Sequence, residues 1–143
     1  MTKIRLGIDD IKYITLFENL TGAKVKDCVP EENSIGFLIS KGDMGLAIGR
    51  KGSNIERIRK ALGKIVWIME YADDQSNFIK SLFQPIKINN VHIYEKKGDK
   101  IATIDISKLD RGRVIGHLGE RIKIAKKLAM RHYGISNINI RST

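Results

Sequence analysis

The chain of 143 residues repeats itself. Ile48, Gly49, Gly52 and Ile55 recur as Ile115, Gly116, Gly119 and Ile122, all at an offset of 67. A repeat of that period constrains the architecture more than any composition figure, because one order of elements has to serve both halves. In the first half a helix is expected over 9–21, capped by Asp9 or Asp10 and stopped by Gly22. Strands follow over 24–29 and 35–40, the second with Ile35, Phe37 and Ile39 alternating. A short helix, the loop Gly49-Arg50-Lys51-Gly52, a helix ended by Gly63 and a strand over 65–69 complete the unit. The second half repeats this: a helix from Asp73-Asp74 closed by Pro85, strands over 86–95 and 101–106, and a short helix from Leu109. The loop Gly116-His117-Leu118-Gly119, a helix to Tyr133 and a last strand through Ile138 and Ile140 finish it. The fold class is α+β, with domains over 1–72 and 73–143. Each is small for a lone core, and no Gly, Ser or Pro run separates them, so they are expected to pack as one rigid unit.

The first loop has the chemistry of an anion seat. Glycine lets a backbone pass close to a bulky anion, and a helix start offers unpaired N–H groups and a favourable dipole. Ser53 and Glu56 fit a capping box that starts the helix directly behind the loop. Arg50 and Lys51 add full charge there. The second loop offers His117 and Leu118 instead, with Arg111, Arg113, Arg121 and Lys123 as flanking cations, so it is expected to attract phosphate less strongly.

Charge supports this reading. The net charge is +10. Residues 41–64 hold seven cations and two anions, and residues 108–134 hold eight and two, so the remainder nets −1. The basic excess falls on one structural element, twice, which marks a footprint for a polyanion. The single Cys28 excludes an internal disulfide and agrees with a reducing, cytoplasmic setting; beside Val29 it reads as a buried thiol. No apolar run reaches membrane length, and no signal peptide is read at the start. Neither G-x-x-x-x-G-K-[ST] nor G-x-G-x-x-G is present, and His92, His117 and His132 are too scattered for a metal site. No enzyme, cofactor or metal is expected. Nine aromatics, none beside a loop, argue against base stacking as the main mode.

Ile48-Gly49-Arg50-Lys51-Gly52 between two helices resembles the I-G-x-x-G core of a KH domain, which holds about four nucleotides of single-stranded nucleic acid. Helix-strand-strand before the loop and a strand after it resemble the prokaryotic, type II arrangement, and both halves fit, implying two tandem KH domains. The junction Ile68-Met69-Glu70-Tyr71-Ala72-Asp73-Asp74, followed by Phe78-Ile79, Leu82 and Pro85, is similar to that between the KH domains of the NusA family of transcription termination and antitermination factors. A form with two KH domains alone is the archaeal one. The N-terminal polymerase-binding domain and the OB-fold domain of bacterial NusA have no counterpart among these residues.

The resemblance implies that phosphates run past Gly49 to Gly52 and Gly116 to Gly119, with Arg50 and Lys51 pairing to them. Arg57, Arg113, Arg121, Lys123, His117 and Leu118 complete the implied RNA-binding set. Ile48, Ile55, Ile115 and Ile122 are candidate groove floor, with plain core packing the competing role for Ile55 and Ile122. Single-stranded RNA is the implied partner, RNA polymerase and other transcription factors the further ones, and a monomer is expected. A KH protein of the ribosome or its assembly is the alternative, with the same loop chemistry and a different RNA.

Overall fold

A computed structural model describes residues 7–143; residues 1–6, which read by sequence as a short basic arm ahead of the first helix, lie outside them. The chain divides between Tyr71 and Ala72 into two compact units.

The first unit runs α1 (Ile8–Thr21), β1 (Val25–Pro30), β2 (Ser34–Ile39), α2 (Met44–Ile48), a 3-10 turn over Arg50–Gly52, α3 (Ser53–Leu62) and β3 (Ile65–Glu70). β1 and β2 are antiparallel, and β2 and β3 are parallel, in the order β1-β2-β3. Parallel neighbours need a long return path, and α2, the loop and α3 form it. β2 is central and buried along all six residues, where its alternation suggested one covered face. Phe17 of α1 stacks on Phe37 with centroids 4.3 Å apart, and Ile35, Ile39, Ala47, Ile58 and Val66 pack around them. Cys28 is buried in the same cluster. α1 is capped by Gly7, whose N–H donates to Asp10 at 3.2 Å. Asp10 thus serves the cap from inside the first turn.

The second unit has the same order: α4 (Gln75–Ser81), β4 (Asn90–Lys96), β5 (Asp99–Ile106), a 3-10 turn over Lys108–Asp110, α5 (Arg111–Ile115), a 3-10 turn over His117–Gly119, α6 (Glu120–Tyr133) and β6 (Ile135–Ser142). Its sheet order is β4-β5-β6, again antiparallel then parallel. Asp74 caps α4, accepting from the Asn77 N–H at 2.9 Å. The strand expected from Ile86 begins at Asn90, because β5 ends one residue past Asp105, the partner of Asn90. Ile86 and Ile88 are buried all the same. Ala102, Ile104 and Ile106 of β5 are fully buried, as are Val114 of α5 and Ile124, Ala125 and Leu128 of α6. Tyr133 meets Phe78 edge-on at 4.9 Å and donates its hydroxyl to the Ala72 carbonyl at 2.6 Å.

Candidate nucleic-acid interface

The two glycine loops share one backbone. Gly49 has φ/ψ of 76°/172° and Gly116 has 80°/176°. Lys51 and Leu118 sit at 54°/31° and 54°/26°, Gly52 and Gly119 at 75°/15° and 72°/10°. The first glycine of each loop occupies a region essentially closed to other residues. Lys51 and Leu118 are left-handed despite their side chains, a conformation that costs roughly 1–2 kcal/mol. Each loop is closed by the second glycine, whose N–H donates to the carbonyl of the first at 3.1 Å. Sequences that differ at the tip thus adopt the same strained turn.

Crowding explains the leading glycine. A Cβ on Gly49 would lie 2.7 Å from the Asn54 side chain and 2.8 Å from its backbone nitrogen. On Gly116 it would overlap the Cβ of Arg121. The second glycines have room for a Cβ and need only the positive φ.

The expected capping box is not formed. Gly52 is the residue before α3, in a left-handed conformation, and no side chain caps the helix. Ser53 already has helical angles of −62° and −39° because the 3-10 turn feeds directly into α3. Glu56 pairs with Arg59 at 2.9 Å.

Arg50 and Lys51 are exposed at the tip of the first loop, and Arg57 is exposed on α3. Ile48 is 40% exposed beside them, while Ile55, Ile115 and Ile122 are half-buried. Leu46, two residues before Ile48, is 50% exposed. In the second unit His117 is exposed and Leu118 is 76% exposed. Lys123 is exposed on α6. Arg113 is exposed on α5 and pairs with Asp110 at 3.1 Å.

Arg121 is a correction. Expected as a surface cation flanking the loop, it is only 5% exposed. Its two terminal nitrogens donate to the carbonyls of Arg113 at 3.0 Å and Gln84 at 3.1 Å. Burial, then the nearby charge of Arg113, lowers its pKa to about 10, so it stays charged at neutral pH. Its position at the loop-facing start of α6 turns it inward.

Asn54 was not singled out from the sequence. Its amide donates to the Leu46 carbonyl at 2.7 Å. The offset of 67 that pairs the loops also pairs Asn54 with Arg121 and Leu46 with Arg113. Extending the repeat by two residues past the second glycine finds it.

Among the described residues, no group of three or more His, Cys, Asp or Glu could hold a metal ion. No helix among them is long and apolar enough to cross a membrane.

Comparison with known proteins fits this architecture. The KH domain family matches residues 11–98. The chain is 34% identical over 140 residues to the probable transcription termination protein NusA of Methanocaldococcus jannaschii, covering 98% of this chain and 76% of that one. It is 33% identical over 138 residues to the protein of the same name from Halococcus morrhuae, covering 96% of this chain and 99% of that one. The crystal structure of APE1850 matches with a TM-score of 0.77 at 34% identity, over 95% of this chain and 100% of that one. The chain belongs to the archaeal branch of the NusA family of KH-domain proteins.

Proposed function

We propose that this protein binds single-stranded RNA in transcription termination or antitermination, as two tandem type II KH domains that hold the sugar-phosphate backbone at residues 49–52 and 116–119. The observation that carries the reading is the pair of loops with one strained backbone, each opening a helix. A non-glycine residue held at positive φ, Lys51 in one turn and Leu118 in the other, is kept where the surroundings over-determine it, which is the habit of binding sites. RNA of nascent transcripts is the proposed target, beside RNA polymerase and other transcription factors. Termination is what the names of the archaeal relatives state. The first loop is the stronger grip, because Arg50 and Lys51 supply charge where the second has His117 and Leu118. Arg57 and Ile48 extend the first site; Arg113 and Lys123 extend the second.

Charge contacts give affinity and salt dependence but little choice of sequence. Two charge-assisted contacts of about 2 kcal/mol each correspond to roughly 1,000-fold in affinity. R50D combined with K51D is therefore expected to weaken single-stranded RNA binding by that order, with far-ultraviolet circular dichroism unchanged. H117D with L118D is expected to cost less. Unchanged binding in the first double variant removes the first loop from the site, and an equal or larger loss in the second reverses the ranking. Recovery with nascent transcripts, as against ribosomal subunits, from a cell extract tests the role in transcription.

A further inference from the structure

In each unit the second residue after the closing glycine does the same two things by different chemistry. Asn54 sits against Gly49, so close that a Cβ there would meet its side chain at 2.7 Å, and its amide donates to the Leu46 carbonyl at 2.7 Å. Arg121 sits against Gly116 and donates to the Arg113 carbonyl at 3.0 Å. Leu46 and Arg113 are equivalent positions on the short helices α2 and α5, three residues ahead of the leading glycines. Each side chain therefore ties the helix entering the loop to the helix leaving it, beneath the loop itself. A five-residue helix is too short to hold its direction alone, and Lys51 and Leu118 resist their left-handed angles. Something must fix the turn, and this bond lies where the two helices diverge. Arg121 carries the tie further, to the Gln84 carbonyl after α4.

We infer that Asn54 and Arg121 are the positioning residues of the two loops, holding them in the RNA-gripping shape without touching RNA. The inference rests on the loops being the RNA site. A pre-organised loop binds without the cost of ordering itself. Losing the tie should therefore weaken binding while leaving the number of phosphate contacts the same. Affinity for single-stranded RNA falls with salt at a slope of about −0.7 per phosphate contacted, so the slope separates a brace from a contact.

The experiment measures RNA affinity against salt for the full chain and for N54A, R57A, R50D/K51D and the N54A/R50D/K51D triple variant, together with hydrogen exchange at Gly49 and Gly52. N54A is expected to bind about tenfold more weakly with an unchanged slope. Exchange at the two loop amides should quicken while β2 stays protected. N54A should add nothing on top of R50D/K51D, as coupled residues do. R57A, a surface cation, should flatten the slope by about 0.7. In the second unit R121M should lose affinity by a smaller factor and R121K should restore part of it, since an ammonium can still donate to the Arg113 carbonyl.

Unchanged affinity in N54A alongside a large loss in R50D/K51D overturns the inference. So does a slope that falls as in R57A, or a full additional loss in the triple variant, which marks general destabilisation. If R50D/K51D binds normally, the first loop is not part of the RNA site, and the reading of that loop under the proposed function fails. The exchange rates then decide the brace alone: quickened exchange supports it, and unchanged exchange ends it.

Discussion

Gly49 rejects a side chain on two counts, its φ/ψ of 76°/172° and its closeness to Asn54. Gly52 rejects one on the first count only. G49A should therefore destabilise the first unit by about 2–3 kcal/mol, combining backbone strain with overpacking. G52A should cost about 1 kcal/mol. Urea midpoints of the two variants check the order. Asp105 offers a second residue-scale test. Arg141 of β6 donates to both its oxygens, at 2.6 and 3.0 Å, and His92 lies 3.7 Å away. The hydrogen bond and the charge of Arg141 hold the Asp105 carboxyl below its ordinary value. A carboxyl lowered on folding stabilises the fold above its unfolded pKa of about 3.9, and that contribution is lost as pH falls through the lower, folded value. D105N should show a shallower fall of the thermal midpoint on acidification below about pH 4. The glycines could be singled out from spacing, but their separate reasons could not, because Asn54 and Arg121 become neighbours of Gly49 and Gly116 only once the helices fold back. Arg121 read as a surface cation for the same cause: nothing in Arg-Ile-Lys says which of the two cations turns inward.

The helix hairpins were the most legible elements. Gly22, Gly63 and Gly134 end α1, α3 and α6 in left-handed conformations at the expected places, since a helix stop is a local matter. Starts were harder. Ser53 with Glu56 has the spacing of a cap, yet the preceding turn makes Ser53 helical, a fact set by the loop and not by the pair. The strand placed from Ile86 shows the limit of alternation: Ile86 and Ile88 are buried without a ladder partner. At this scale the two hairpins also exchange chemistry. The first carries cations at its tip and Leu46 on the short helix, the second Leu118 at its tip and Arg113 on the short helix. Because the loop backbones coincide, H117R with L118K should be accepted without refolding the turn. It should tighten single-stranded RNA binding and steepen the salt slope by up to about 1.4, two phosphates at 0.7 each. A titration series in salt measures both.

Over the whole chain, positive charge is partitioned and not merely abundant. Outside residues 41–64 and 108–134 the remainder nets −1. Lys96 and Lys97, at the exposed turn between β4 and β5, provide the control. K96E with K97E changes charge by the same amount as R50D with K51D. It should leave RNA affinity within about threefold, because both lysines lie outside residues 41–64 and 108–134, where the basic excess falls. The order of elements was readable in full because each half repeats it. The parallel pairing of β2 with β3 and of β5 with β6 is a consequence of that order, as a helical return joins each pair.

One property of the turn limits what either grip can become. The third place of each loop, held by Lys51 and Leu118, turns the chain the wrong way for an L-amino acid. Valine, isoleucine and threonine fit there worst, since branching at Cβ makes that region a true outlier. Unbranched chains, asparagine and glycine remain. The vocabulary open to the fingertip is thus edited by the backbone before any nucleotide arrives: charge may come and go at that place, bulk close to the main chain may not.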